Sequence, residues 1–199
     1  MKVIVIGGSG TIGKAVVEQL GLRHEVVTVG SNSGQYQADI TDVAQVRALF
    51  GKIGKADAVV VTAGALAFAP LAEFTPEQFR VGLDSKLMGQ VNVALVAQHL
   101  LNDGGSITLT SGIVAEQPIR NGAGASLTNS AVEGFARGAA IELPRGIRIN
   151  VVSPTLLDES VDAYGPYFRG FETVPASRVA LAYSRSVEGA QTGQVYKVW

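Results

Sequence analysis

Three glycines set three residues apart, Gly7, Gly10 and Gly13, have the clearest chemical purpose in this sequence. An apolar run (Val3, Ile4, Val5, Ile6) leads into them, and a helical pattern starts at once with Lys14, Ala15, Val16, Val17, Glu18, Gln19 and Leu20. A strand that bends through glycines into a helix leaves the first N–H groups of that helix pointing outward, at the positive end of its dipole. That is an anion site, and in a strand–turn–helix unit its natural guest is the pyrophosphate of a dinucleotide. Gly7, Ser9, Gly10, Thr11, Ile12 and Gly13 are therefore candidate cofactor-binding residues. The alternative is a tight turn that binds nothing.

Alternating strands and helices must position this corner. Residues 26–29 read as a second strand, Thr41 and Asp42 as the cap of a helix running to Phe50, and 58–62 as a third strand. Thr75-Pro76-Glu77-Gln78 is a helix start, with proline at the first position and glutamine three beyond the cap. Further on, the pattern predicts a long helix over 82–101, a turn at 102–105, a strand over 106–110 and a helix over 127–143 with Ser126 and Thr128 as start caps. A strand over 147–152, a short helix over 178–187 and a last strand over 194–198 complete the order. One domain over 1–199 follows: an α/β, Rossmann-type doubly wound parallel sheet of about seven strands, with helices on both faces and ligands at the strands' carboxyl ends.

Composition bounds the function classes. The 199 residues are 47% hydrophobic with a mean hydropathy of +0.26, which suits strands buried on both faces. A net charge of −1 gives no basic footprint for nucleic acid. No apolar run approaches the roughly 18 residues of a membrane span, and the first strand leaves no room for a signal peptide, so a cytoplasmic protein is expected. With no cysteine and only His24 and His99, far apart, no metal site is expected. Both histidines read as surface or helix-end residues.

Several motifs together resemble the short-chain dehydrogenase/reductase family over nearly the whole chain. GGSGTIG (residues 7–13) is similar to its glycine loop in the spacing of extended and atypical members, and Asp39-Ile40 to the acidic position that receives the adenine amino group. Thr62-Ala63-Gly64 stands where the family keeps Asn-Ala-Gly beside the adenosine ribose. Ala131-Val132-Glu133-Gly134-Phe135-Ala136-Arg137, Glu142-Leu143, the run from Gly146 to Pro154, and Thr192-Gly193 match its later helix, strand and post-strand proline. The resemblance implies a nicotinamide cofactor contacted also by Ala63, Gly64, Pro154 and Thr155, the last holding the nicotinamide amide. It further implies a substrate lid, here a short one over about 155–176, and a homodimer or homotetramer built on the two long helices.

The same resemblance implies an Asn-Ser-Tyr-Lys tetrad, and this chain departs from it at every position. The Asn position falls on Lys86, Ser on Gly112, Tyr on Ala125 and Lys on Asn129. Methyl and hydrogen side chains cannot transfer protons, so the family's usual acid is missing. Lys86, Ser111 and Asn129 are the candidate catalytic replacements. Lys86 in a partly dry cleft could polarise a carbonyl or give up a proton, or it could merely fill space beside Asp84 or Glu133. Asn129 could bond a ribose hydroxyl, and Tyr164 or Tyr167 could bring a phenol inward from the lid.

At the end of the second strand, Gly30-Ser31-Asn32-Ser33 offers short polar donors (Ser31, Asn32, Ser33) and no carboxylate to repel a 2′-phosphate, which favours NADP(H), with NAD(H) as the alternative. Three readings follow: an NAD(P)(H)-dependent oxidoreductase acting on a small carbonyl or alcohol through a non-standard site, a non-catalytic NADP(H)-binding sensor or partner protein, and an isomerase-like enzyme with a bound cofactor.

Overall fold

A computed structural model describes residues 1–199. Its central sheet is built from β1 (Lys2–Ile6), β2 (Glu25–Gly30), β3 (Tyr36–Gln37), β4 (Ala56–Val61), β5 (Leu101–Thr110), β6 (Arg148–Pro154) and β9 (Val195–Val198). These lie in the order β3-β2-β1-β4-β5-β6-β9, and every pairing is parallel. The order reverses between β1 and β4, so a crevice opens above their carboxyl ends, where the glycines sit.

Helices cover both faces: α1 (Thr11–Gly21), α2 (Val43–Ile53), α3 (Pro76–Arg80), α4 (Gly89–Leu100), α5 (Ala123–Ala139), a one-turn α6 (Val161–Tyr164) and α7 (Ala176–Glu188). Alternate strand residues divide between two cores. Ile4, Ile6, Val59, Val61, Ile107, Leu109, Ile149 and Val151 pack with side chains of α2, α4 and α5. Val3, Val5, Ala58, Val60 and Val152 face the opposite way, onto α1 and α7. This is the two-faced burial that apolar parallel strands require.

Several boundaries move, for identifiable reasons. The expected helix over 82–101 is two pieces, a π-helical stretch Val81–Met88 and α4, and α3 runs directly into the first of them. The wider π turn follows Gly82, whose added Cβ would lie 2.4 Å from Thr128 Oγ1 on α5. Leu101 already pairs with Ala56 in β5, and the expected turn at 102–105 survives as a bulge before pairing resumes at Ser106. Helix α5 starts at Ala123, so Ser126 and Thr128 are interior residues and not caps; their buried hydroxyls have no partner. It ends at Ala139, short of 143.

Asp42 does cap α2, accepting from Ala44 N and Gln45 N, and Thr75 and Gln78 form the expected capping box. Strand β3 escaped the pattern because two residues at a sheet edge have no periodicity to show. The segment expected to form a lid is an excursion pinned at its base by a two-stranded parallel ladder, β7 (Leu156–Leu157) with β8 (Thr173–Val174). His24 bonds Glu188 at 2.9 Å, and His99 lies in the last turn of α4.

Candidate active site

The glycine corner is held by backbone and by Thr62. Gly7 has φ +85°, and a Cβ there would lie 2.9 Å from Ala63 N. Thr62 Oγ1 donates to the carbonyls of Ile6 (3.0 Å) and Gly7 (3.2 Å), tying the end of β4 to the bend. A Cβ on Gly13 would lie 2.0 Å from the Gly7 carbonyl, so this glycine is needed for the turn to close. Gly10 differs: only the Gly7 carbonyl lies near its Cβ position, at 3.4 Å. Gly10 is also the N-cap of α1, where no side chain caps the helix and no acidic residue stands in the first turn. The orphaned first-turn N–H groups therefore face open space without a protein anion.

Beside this corner runs a groove of about 510 Å³. Gly7, Ser9 and Gly10 line it, as do Ser31, Asn32 and Ser33 at the end of β2, Asp39 and Ile40 after β3, and Ala63 and Gly64 after β4. Thr11 and Gly13 do not line it. Asp39 Oδ1 accepts from Thr41 N and Oγ1, while Oδ2 has no protein partner. Ser33 Oγ donates to Ser9 Oγ at 2.9 Å, so its one hydroxyl proton is spent within the protein and the Ser9 proton stays available. An uncapped helix start, an open glycine and a polar groove at the strand ends fit the nicotinamide dinucleotide that the fold implies.

Gly64 and Ala65 also belong to a second cavity of about 370 Å³, so the two spaces share a wall. Ile12, Lys86, Ser111, Gly112, Asn129, Pro154 and Thr155 line this cavity. Aromatic and aliphatic side chains close its far side: Leu66, Phe68, Ile113, Val114, Tyr164 and Phe168. The structure thus brings three of the four tetrad-equivalent positions together, Lys86, Gly112 and Asn129. The fourth, Ala125, is wholly buried behind Ile113 and Val114.

Lys86 comes from the last turn of the π-helical stretch. Its stem crosses Gly64 (φ +144°), where a Cβ would lie 2.7 Å from Lys86 Cα, Cβ and Cγ. Its Nζ donates to the Ser111 carbonyl at 3.1 Å and makes no ion pair with Asp84 or Glu133, against that expectation. Burial pushes the ammonium from its ordinary value down to about 8, although the side chain keeps some exposure at the cavity wall.

Asn129 presents a defined polarity. Its Nδ2 donates to the Ala125 carbonyl at 2.8 Å, which fixes the amide and leaves buried Oδ1 without a partner. A Cβ on Gly112 would lie 3.7 Å from that oxygen. The site therefore offers an acceptor where the resemblance implied a lysine.

Two expectations need correction. The Ser111 hydroxyl turns away and donates to buried Glu133 at 2.9 Å, so Ser111 offers the site its carbonyl and not its hydroxyl. Strand alternation makes that choice: the same face that buries Glu133 takes the side chain. The Thr155 hydroxyl donates to the Glu172 carbonyl at 2.9 Å and fastens the base of the lid, so its proton is not free for a nicotinamide amide. Of the lid tyrosines, Tyr164 lines the cavity and Tyr167 lines a separate outer cleft. Sequence reading missed the apolar wall of Leu66, Phe68, Ile113, Val114 and Phe168. It also missed Thr62's lock on the bend, for which a hydroxyl at a strand end facing the glycines was the available sign.

The parallel sheet, its crevice and the glycine corner define the Rossmann-type α/β class. Residues 14–197 match the family described as enoyl-(acyl carrier protein) reductase. A tetrahydroxynaphthalene reductase, PfmaG of Pestalotiopsis fici, is 35% identical over 179 residues, covering 77% of this chain and 65% of that protein. An uncharacterized oxidoreductase of Methylorubrum extorquens is 32% identical over 134 residues, 65% of this chain and 54% of that one, so the chain spans under two thirds of both relatives. Among solved structures, the protein lin1944 of Listeria innocua is 50% identical with a TM-score of 0.98, covering 100% of each chain. A small-chain dehydrogenase in complex with NADPH is 28% identical with a TM-score of 0.89, over 100% of this chain and 96% of that one. The chain belongs to the short-chain dehydrogenase/reductase family.

Proposed function

We propose that this chain is an NADP(H)-dependent oxidoreductase that interconverts a small carbonyl compound and its alcohol, with Lys86 as the group that carries the proton. The observation that carries the reading is the position of Lys86 Nζ, desolvated on a cavity that shares a wall with the glycine-corner groove. A nicotinamide dinucleotide, when bound, supplies the hydride chemistry. The glycine corner would hold its pyrophosphate, and Ser31, Asn32 and Ser33 would meet a 2′-phosphate without a carboxylate at the end of β2. The NADPH complex of the 28%-identical relative supports that choice over NAD(H).

Within the cavity, Lys86 spends one N–H on the Ser111 carbonyl and keeps two for a substrate oxygen. In the reducing direction its ammonium gives a proton to the oxygen as the carbonyl carbon is reduced, and water restores it. Asn129 Oδ1 accepts a hydrogen bond from a ribose or substrate hydroxyl, a role its orphaned acceptor supports. The apolar wall excludes water and strengthens both contacts. The test is an NADPH titration followed through Trp199 fluorescence, run beside an aldehyde and ketone panel. Binding with turnover that drops in Lys86→Met supports the reading; turnover indifferent to that change defeats the role of Lys86.

A second reading, a non-catalytic NADP(H) sensor, draws on the methyl of Ala125 and the bare Gly112 at positions where the family keeps hydroxyls. Tight binding with no turnover across the panel would establish it. The reading also places the protein in the cytoplasm as a homodimer or homotetramer through α4 and α5. A groove of about 350 Å³ lined by Leu95, Gln98, Gly134, Phe135 and Gly138 supports such pairing, and sedimentation velocity checks it.

A further inference from the structure

Lys86 is placed unlike the other lysines of the chain. Lys14, Lys52 and Lys55 are exposed, Lys197 pairs with Glu116 at 2.6 Å, and Lys2 donates to the Ile53 carbonyl at 2.7 Å. Lys86 alone lines the cavity of about 370 Å³. Its Nζ has no carboxylate partner, and its one protein bond goes to the Ser111 carbonyl at 3.1 Å.

These surroundings suit a nucleophile as well as an acid. Leu66, Phe68, Ile113, Val114 and Phe168 make much of the cavity wall, and burial brings the ammonium down to about 8. Near neutral pH a sizeable share of Lys86 is therefore free amine, with a lone pair, where an ordinary lysine has almost none. Desolvation in an apolar pocket is a standard way to make a lysine amine attack a carbonyl. The glycines help. The Lys86 stem lies against Gly64, which holds it in place, and bare Gly112 leaves the cavity open beside the carbonyl that fixes Nζ.

We propose that Lys86 captures aldehydes, its amine forming a reversible imine with an aldehyde whose apolar body occupies the cavity. The Nζ lone pair attacks the carbonyl carbon and forms the N–C bond of a carbinolamine. The carbonyl oxygen then leaves as water, carrying the two protons of the amine. A C=N bond replaces the C=O bond, and nothing is oxidised or reduced. A proton from solvent gives the imine nitrogen one N–H, and the Ser111 carbonyl already stands where it can accept it. The apolar wall slows the return of water to the C=N bond. This step uses the cavity without the cofactor. The free amine serves it, whereas the ammonium serves the proton transfer of the reductase reading.

The test is reductive trapping on the whole wild-type protein without NADPH. Hexanal and sodium cyanoborohydride are added, and peptide mass spectrometry measures alkylation at each lysine. Near pH 7, Lys86 should be labelled at least about tenfold faster than Lys14, Lys52 or Lys55, because its share of free amine is larger. That advantage should shrink toward pH 10, as the exposed lysines also lose their protons, and vanish in urea. Glycolaldehyde, which has no apolar chain, should show less preference for Lys86 than hexanal does. Without cyanoborohydride, dialysis should return the protein to its original mass. Equal labelling of all four lysines near pH 7 overturns the proposal, as does a preference that persists in urea or is the same for both aldehydes. Because no NADPH enters the trapping, a lack of turnover on the carbonyl panel would count against the reductase reading alone.

Discussion

The two ends of the crevice are made of different material. At the glycine end, the binding groups are backbone N–H and the turn is fixed by sterics and by one threonine, Thr62. At the cavity end, the polar side chains come from two separate elements, Lys86 on the π-helical stretch and Asn129 on α5, with the Ser111 carbonyl just after β5 between them. A backbone-built site tolerates little change because its chemistry is the fold itself. A side-chain-built site can lose every expected functional group while its scaffold stays in place, as Ala125, Gly112 and Asn129 show. Family resemblance therefore transfers well at one end of this molecule and poorly at the other.

The sharpest way to break that comparison lies within the glycines. Gly13→Ala should destabilise the protein by about 3 kcal/mol or more, since a Cβ 2.0 Å from the Gly7 carbonyl forces the turn apart. Gly10→Asp should do the reverse to the fold and more to the ligand. Aspartate is a good N-cap and has room there, so melting temperature should hold or rise. A carboxylate at that spot repels phosphate, and NADPH affinity should drop about hundredfold or more. Thermal denaturation and a fluorescence titration on both variants separate the two roles. If Gly10→Asp bound NADPH normally, the corner would not be the phosphate site.

At the cavity end, Lys86→Met should reduce carbonyl turnover at least about tenfold, near 1.4 kcal/mol of barrier. Its pH signature is specific. With the ammonium pushed down to about 8, reduction by the wild type should decline as pH rises through that value, and the methionine variant should lack this decline. The same shift has a stability sign. Between pH about 8 and 10.5 the unfolded chain still binds the proton that the folded chain has released. Wild-type stability relative to Lys86→Met should therefore rise across that window and level off above it. A flat difference from pH 7 to 11 would mean that the ammonium is as well solvated as in the unfolded chain.

How much of this was legible beforehand follows the same division. The sheet, its parallel sense and the Asp42 and Thr75 caps were readable, because apolar runs and capping residues act within a few positions of themselves. The convergence of residues 86, 112 and 129 on one cavity was readable only through the alignment of motifs, and the fourth aligned position, Ala125, does not line it. That Thr110 and Ser111 point to opposite faces was readable from strand alternation, but the partner of the Ser111 hydroxyl was not: it is Glu133, whose burial on α5 comes from the tertiary packing of helix on sheet. The π-helical stretch was equally hidden, and so was the close approach of its Gly82 to Thr128 on α5, which is distant in sequence. The apolar wall of the cavity gave little signal, because Leu66, Phe68 and Phe168 sit outside the regular elements and show no periodicity.

The smallest effect tests the polarity of the cavity. A Cβ at Gly112 would stand 3.7 Å from Asn129 Oδ1, and Gly112 has an extended backbone (φ 175°) that any residue adopts. Gly112→Ser should therefore fold normally, and its hydroxyl can turn to donate to Oδ1, the buried acceptor that has no partner. Satisfying that oxygen should stabilise the protein by about 1 kcal/mol, a rise of roughly 2–4 °C in melting temperature at this size. Gly112→Ala is the control, since it adds the Cβ without the donor and should give no such gain. If serine and alanine behave alike, Oδ1 is already satisfied by solvent in the cavity, and a ligand hydroxyl would gain little there. If serine alone stabilises, the same donor should weaken whatever ligand hydroxyl the asparagine receives, and the loss in NADPH or substrate affinity reports which of the two it is.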